Sequence, residues 1–468
     1  MGASGQSSSN QPVWPVEPYE RNTGSVGRRR IVFVGASYKF CHKVLRDMLL
    51  VGGFDDVELV VHDIDPEPMN IVADLLERIA RQQKSNVRVG RTLDRRQALR
   101  DADAVILSIT TGGREADMRS WEVCAKYGIP VAVGDTMGPA ALARCLRSVP
   151  VVCAMAREMD ELCPQAVVLN FSNPMSVLTG AIARHCRLPT FGLCHSADEL
   201  WRFFSKVFGV PKADIDLEVG GVNHQSFVTR VLVRGEDRTR DLLAAVEASA
   251  AKLEDTVLET RTHEVDLQKD ICRILGVWPS TGHTHLAEFY HFFMTPRRID
   301  RLRKDLRGTL IPGRQPFGRT PCPEIIRRWA YGPEPVGDLH LLTTEHAHEV
   351  LYAFFTGDPF TRVLNVLNTR PYIENIASDA CVEARVTVAG RTVSGAPLRL
   401  PPAAQALVQR WTTIHELSMT AALKCDRDAA RQALFLDPHV TDLYDIDPML
   451  EDMLQALRPW LPGAWFDN

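Results

Sequence analysis

The periodic part of the chain opens at residues 30–37, where Arg-Ile-Val-Phe-Val-Gly-Ala-Ser forms a short β-branched run ending in small residues. Such a run reads as a strand buried on both faces that enters a tight turn. Behind it Phe40, Val44, Leu45, Met48 and Leu49 recur at helical spacing and stop before Gly52-Gly53, which predicts a helix with a glycine terminus. A second run, Val57-Glu-Leu-Val-Val-His62, leads into Asp63-Ile64-Asp65-Pro66, and a longer helical pattern covers 68–83. Further strands are predicted at 104–109, ahead of Thr110-Thr111-Gly112-Gly113, and at 167–170 and 190–193, with helical stretches between them. Strand and helix in alternation argue for a doubly wound parallel sheet over roughly the first 200 residues. Beyond it strands mix with amphipathic helices, among them the stripe Leu407, Trp411, Ile414, Leu417 and Ala421.

The expected fold class is α/β. A disordered tail over 1–27 precedes a Rossmann-type unit over 28–200, and a mixed α+β unit follows over 201–468. Composition narrows the classes without changing this picture. Of 468 residues 45% are apolar and 24% charged, ordinary values that exclude collagen-like, coiled-coil and wholly disordered chains. Lys and Arg number 54 against 58 Asp and Glu, a net charge of −4, which offers nucleic acid no sequence-wide footprint. No run of about 18 uncharged apolar residues occurs, so no membrane span is expected. The Gly-, Ser-, Asn- and Pro-rich stretch 1–27 lacks the apolar core of a secretory signal. Eleven cysteines without a CxxC spacing suit reduced thiols in a cytoplasmic protein.

The first candidate site is Val34-Gly35-Ala36-Ser37, placed where a helix N-terminus and backbone N–H groups would hold a dinucleotide pyrophosphate. It has one glycine where the usual GxGxxG has three, so Gly35, Ala36 and Ser37 read either as a cofactor turn or as a plain connection. Asp63 and Asp65 end the second strand, where NAD proteins hold a ribose hydroxyl. Asp65 equally suits the N-cap of the next helix. At the same edge of the sheet, Asn170-Phe-Ser-Asn173-Pro174 presents Asn173 to a ligand or to an Asx turn. Gly192-Leu193-Cys194-His195-Ser196 adds a thiol and an imidazole, and Gly220-Gly221-Val222-Asn223-His224 another imidazole after one helix and a return strand. Cys194 and His224 could meet across the cleft as metal ligands or as a nucleophile pair, with simple packing the plainer alternative. The basic run Arg297, Arg298, Arg301, Arg303, Lys304 and Arg307 offers a fork for a carboxylate, or a solvated or subunit-contact face.

Together these stretches resemble the NAD- and divalent-metal-dependent glycosidases of glycoside hydrolase family 4, along nearly the whole chain. Gly134-Asp135-Thr136-Met137-Gly138-Pro139, the stretch from Pro279 through His283 and His285 to Glu288-Phe289, Asp437-Pro438 and Trp460-Leu-Pro-Gly463 resemble the subgroup acting on unphosphorylated α-galactosides and α-galacturonides. The resemblance implies NAD and Mn2+ (or another divalent metal) as cofactors, a small carbohydrate as substrate and a homodimer or homotetramer. It implies oxidation of the sugar at C3, elimination after loss of the C2 proton, addition of water and re-reduction, outside the two-carboxylate scheme of other glycosidases. Cys194 and His224 would hold the metal, Asn173 a sugar hydroxyl, His195 would serve as donor to the departing oxygen, and Asp135 would line the pocket. Relatives in the subgroup tend to carry an acidic base where this chain has His283. His283 can serve as base with an unperturbed pKa of about 6.5, His285 is the next candidate for base or substrate contact, and the HxH spacing could instead bind metal. Two other readings compete: a 2-hydroxyacid dehydrogenase of the lactate/malate type, and an impaired sugar- or NADH-binding sensor.

Overall fold

Residues 22–131, 133–254, 266–293 and 322–467 are described in the computed structural model. The β-branched runs become β1 (Arg29–Val34), β2 (Val57–His62), β3 (Arg88–Thr92), β4 (Ala104–Leu107), β5 (Val167–Asn170) and β6 (Thr190–Gly192). They lie parallel in the order β3-β2-β1-β4-β5-β6, the doubly wound arrangement with ligand crevices at the carboxyl ends of the strands. All residues of β4 and β5 are buried, as expected for strands covered by helices on both faces.

The second half extends this sheet. Its strands are β7 (Ile215–Val222), β8 (Gln225–Val233), β9 (Glu236–Asp237), β10 (Trp278–Pro279), β11 (Phe360–Leu367), β12 (Cys381–Ala389) and β13 (Thr392–Ser394). From β6 the path continues β11-β12-β7-β8-β10, antiparallel throughout, with β13 on β12 and β9 on β8. The strands of the expected α+β unit therefore share one sheet with the parallel strands, because β11 pairs with the edge of β6 and covers backbone groups that would otherwise stay open. One register row crosses nearly the whole sheet: His62, Val34, Leu107, Asn170, Gly192, Asn365, Glu383, Gly221 and Ser226.

One expectation needs correction. The end of the expected tail packs on the protein: Asn22 Nδ2 donates to the Gly52 carbonyl at 2.9 Å, the Gly24 N–H to the Tyr352 hydroxyl at 3.0 Å, and Val26 is buried. Residues 1–21 and the basic run 297–307 lie outside the described residues. The 25-residue helix Gly138–Leu162 is long and apolar enough to cross a membrane, but 83% of its most apolar window is buried in the protein, which makes it a core helix.

Candidate active site

β7 and β8 are joined by a two-residue turn, Asn223-His224, closed by the pair Val222 and Gln225. His224 sits at φ +63°, a left-handed conformation that costs an L-residue about 1–2 kcal/mol and in which histidine is among the enriched non-glycine residues. Its ring is buried between two partners: Nε2 lies 3.3 Å from Cys194 Sγ and Nδ1 3.3 Å from Thr136 Oγ1. The Thr136 hydroxyl donates to Asp135 Oδ1 at 2.9 Å, so its oxygen accepts from His224 Nδ1–H. That assigns the tautomer and leaves the Nε2 lone pair aimed at the Cys194 sulfur. Asn173 Nδ2 donates to the other Asp135 oxygen at 2.8 Å.

His285 comes from the helix His283–Phe289 and lies against His224 with ring centroids 3.8 Å apart. His285 Nδ1 and Asn173 Oδ1 are buried without a hydrogen-bond partner. Orphaned polar atoms at one place are what a hydroxyl-rich ligand would satisfy. The same helix carries Glu288, whose Oε1 accepts from the Val133 and Gly134 N–H groups at 2.6 and 2.9 Å. One short helix thus presents an imidazole to the pocket and fixes the loop ahead of Asp135.

Burial favours the neutral form of Asp135, but the nearby Arg144 guanidinium and the hydrogen bond from the Asn173 amide outweigh it and hold the carboxyl below its ordinary range. It is a carboxylate at neutral pH. Arg144 and Arg147 are both buried on the one carboxylate of Asp117, which leaves one positive charge in excess within that triad. Burial pushes His224 down against the pull of Asp135 and Glu383. Burial, then the neighbouring His224, lowers His285 to about 3, so its imidazole is uncharged at neutral pH. Cys194 is partly exposed just beyond β6, and His195 is exposed at the start of the helix Ser196–Phe208, near enough for its charge to act on His224 and His285.

At the other end of the same sheet edge, Gly35 has φ +98°, and a Cβ there would lie 2.2 Å from the Ser108 carbonyl oxygen. The sheet's own packing demands glycine at this position. Asp63 accepts from the Ala36 N–H at 2.7 Å and from the Asp65 N–H at 3.0 Å, while Ser37 Oγ accepts from the Lys39 N–H. Asp65 caps the helix Pro66–Gln82 through the Glu67 N–H at 3.1 Å, the structural alternative of its two readings. No side chain caps the following helix, Cys41–Val51, so that end is open to an anion.

The fold brings Asp135, Asn173, Cys194, His224 and His285 together, with His195 nearby. His283 opens its helix, and its side chain lies outside the described residues. Thr136, Arg144 and Glu288 went unnoticed as site residues in the sequence. Only Glu288, three positions beyond His285, carried a spacing signal. Among the described residues no group of three or more His, Cys, Asp or Glu converges as a complete metal cage. The Cys194–His224 separation of 3.3 Å does suit two neighbouring ligands of one ion with bonds of about 2.0–2.3 Å, leaving other positions for substrate oxygens.

Profiles described as family 4 glycosyl hydrolase and family 4 glycosyl hydrolase C-terminal domain match residues 30–209 and 219–440. An alpha-galactosidase of Bacillus subtilis (strain 168) is 30% identical over 447 residues, 93% of this chain and 99% of that protein. An alpha-galacturonidase of Thermoanaerobacterium saccharolyticum is 28% identical over 394 residues, 78% and 82% of the two chains. Among solved structures, a 6-phospho-alpha-glucosidase from gut microorganisms in complex with NAD and Mn2+ shares the fold, with TM-score 0.74 at 18% identity over 93% of this chain and 99% of that one.

Proposed function

The chain belongs to the family 4 glycosyl hydrolases, and from that premise we propose that it cleaves unphosphorylated α-galactosides or α-galacturonides with NAD and Mn2+ as cofactors. The names of its alpha-galactosidase and alpha-galacturonidase relatives support the substrate class, and the NAD and Mn2+ held by a protein of the same fold support the cofactors. The observation that carries the reading is the Cys194–His224 pair, with an imidazole lone pair oriented by Thr136 toward the sulfur.

Cys194 and His224 would hold the divalent ion, and Gly35, Ala36, Ser37 and Asp63 would border the NAD, next to the uncapped start of the helix Cys41–Val51. When bound, NAD supplies a hydride acceptor for sugar C3 and the ion a Lewis acid for the adjoining oxygens. Asn173 offers its unpartnered Oδ1 to a sugar hydroxyl while its amide stays tied to Asp135. Asp135, held as a carboxylate, stabilises positive charge in the pocket and, through Thr136, the tautomer of His224. His285, whose Nδ1 is buried without a partner, is the described imidazole placed to take the C2 proton. His195 gives a proton to the departing oxygen and recovers one from the water that adds at C1. No disulfide joins any of the eleven cysteines, which supports a reducing, cytoplasmic setting.

The test is hydrolysis of p-nitrophenyl α-galactoside, α-glucoside and α-galacturonide under reducing conditions, with NAD+ and Mn2+ each present or omitted. Release that needs both, with a primary isotope effect or solvent exchange at C2, is expected. Release that needs neither would overturn the reading. Binding of NAD+ without release from any substrate would favour the sensor.

A further inference from the structure

β12 is buried along most of its length and carries one acidic side chain, Glu383, which is 1% exposed. Its neighbours in the register row are Asn365 on one side and Gly221 on the other, with Ser226 beyond. All these side chains share a face, and they bond accordingly. Glu383 Oε1 accepts from Asn223 Nδ2 at 3.2 Å and from Asn365 Nδ2 at 3.3 Å, and Oε2 accepts from Ser226 Oγ at 2.5 Å. A second loop closes on the same turn: the Asn223 N–H donates to Ser176 Oγ at 3.1 Å, and Ser176 donates to Asn365 Oδ1 at 3.3 Å. Asn365 in turn pairs with Gly192, two residues before Cys194. A Cβ on Gly192 would lie 2.8 Å from the Asn365 Cβ and 2.5 Å from Thr179 Oγ1, so glycine is what lets the network close against β6.

The charge on this network needs a reason. All the donors to Glu383 are neutral, and among the described residues no Lys or Arg forms an ion pair with it. A buried carboxylate without a cation is costly, and a neutral side chain of the same shape would brace the turn as well. The turn it braces carries His224, in a backbone conformation that the surroundings have to enforce.

We propose that Glu383 is a positioning residue for the divalent ion: it locks the Asn223-His224 turn to the Cys194 end of β6 and supplies negative charge behind the two ligands. This rests on the reading that Cys194 and His224 hold a metal. Outer groups of this kind orient ligands and typically change metal affinity by about 10–100-fold when altered.

The test is Mn2+ titration of the NAD-free full chain by calorimetry and electron paramagnetic resonance, with melting curves taken without metal. Wild type should bind Mn2+ and Cys194→Ser should not. Glu383→Gln should bind about 10–100-fold more weakly, with NAD+ affinity and the metal-free melting curve retained. Equal Mn2+ affinity in Glu383→Gln and wild type overturns this inference alone. A wild type that binds no Mn2+ overturns the proposed metal site and the inference with it. Should Glu383→Gln fail to fold, Ser226→Ala, which removes one donor and keeps the carboxylate, should still weaken Mn2+ several-fold, and wild-type affinity there overturns the inference.

Discussion

His285 offers a free acceptor in the pocket, since its Nδ1 is buried without a partner beside the His224 ring. In the proposed mechanism His285→Ala should lower turnover and C2 exchange by about 10²–10⁴-fold, the usual worth of a positioned acid or base. NAD+ and Mn2+ affinities by calorimetry should hold. A larger loss in His283→Ala than in His285→Ala would return the role to His283. At this scale the motif stretches of the sequence contain Asp135, Asn173, Cys194 and His224, and the fold brings these four side chains into one hydrogen-bonded cluster. What a linear reading could not supply is the Thr136 bridge, because a threonine beside an aspartate carries no periodic or spacing signal. For Asp65, cap and ribose contact look alike in sequence, and the structure shows the cap, through the Glu67 N–H.

Among elements, the short helix His283–Phe289 bears the most consequence, since His285 and Glu288 act from it in two directions. Its far end is tied to the segment after the helix Arg427–Leu436. There His439 Nδ1 bonds Asp437 Oδ1 at 2.9 Å, and the ring also donates to the Glu288 backbone. Burial lowers the His439 pKa, but Asp437 and Glu288 outweigh it and raise the net value above the ordinary range. A raised pKa means that the clamp contributes fully below about pH 6.5, the value for a free histidine, and is lost as pH climbs through the folded value. Thermal melts from pH 6 upward should therefore fall with pH. His439→Gln should cost about 1.5–3 kcal/mol at the acid end, the worth of a hydrogen bond to a charged group, and flatten the decline. A pH profile unchanged by the substitution would remove the clamp. Most of the parallel strands were legible from their β-branched runs, whereas β3, Arg88–Thr92, went unpredicted because its polar residues mask it as a loop. It is an edge strand, where one-sided exposure relaxes the apolar requirement.

At the scale of the whole molecule, the bordering residues of the proposed NAD site and the metal pair lie at the same edge of one continuous sheet, with the ends of β4 and β5 between them in the register row. NAD+ and Mn2+ should each stabilise the protein independently, by about 2.7 kcal/mol at a hundred times its dissociation constant. Melting curves with each ligand alone and with both check this, and NAD+ without effect would remove the cofactor assignment. The sequence by itself determined the alternation of strands and helices, the glycine of the Gly35 turn and which stretches end at the candidate site, because those depend on local periodicity and residue type. Only the tertiary structure decided that the antiparallel strands join the parallel sheet through Asn365 and Gly192, that residues 22–27 pack, and that Glu383 lies behind the His224 turn. Each of these is a pairing between segments far apart in the chain, and such a pairing is set by backbone hydrogen bonds and burial, which no local pattern encodes.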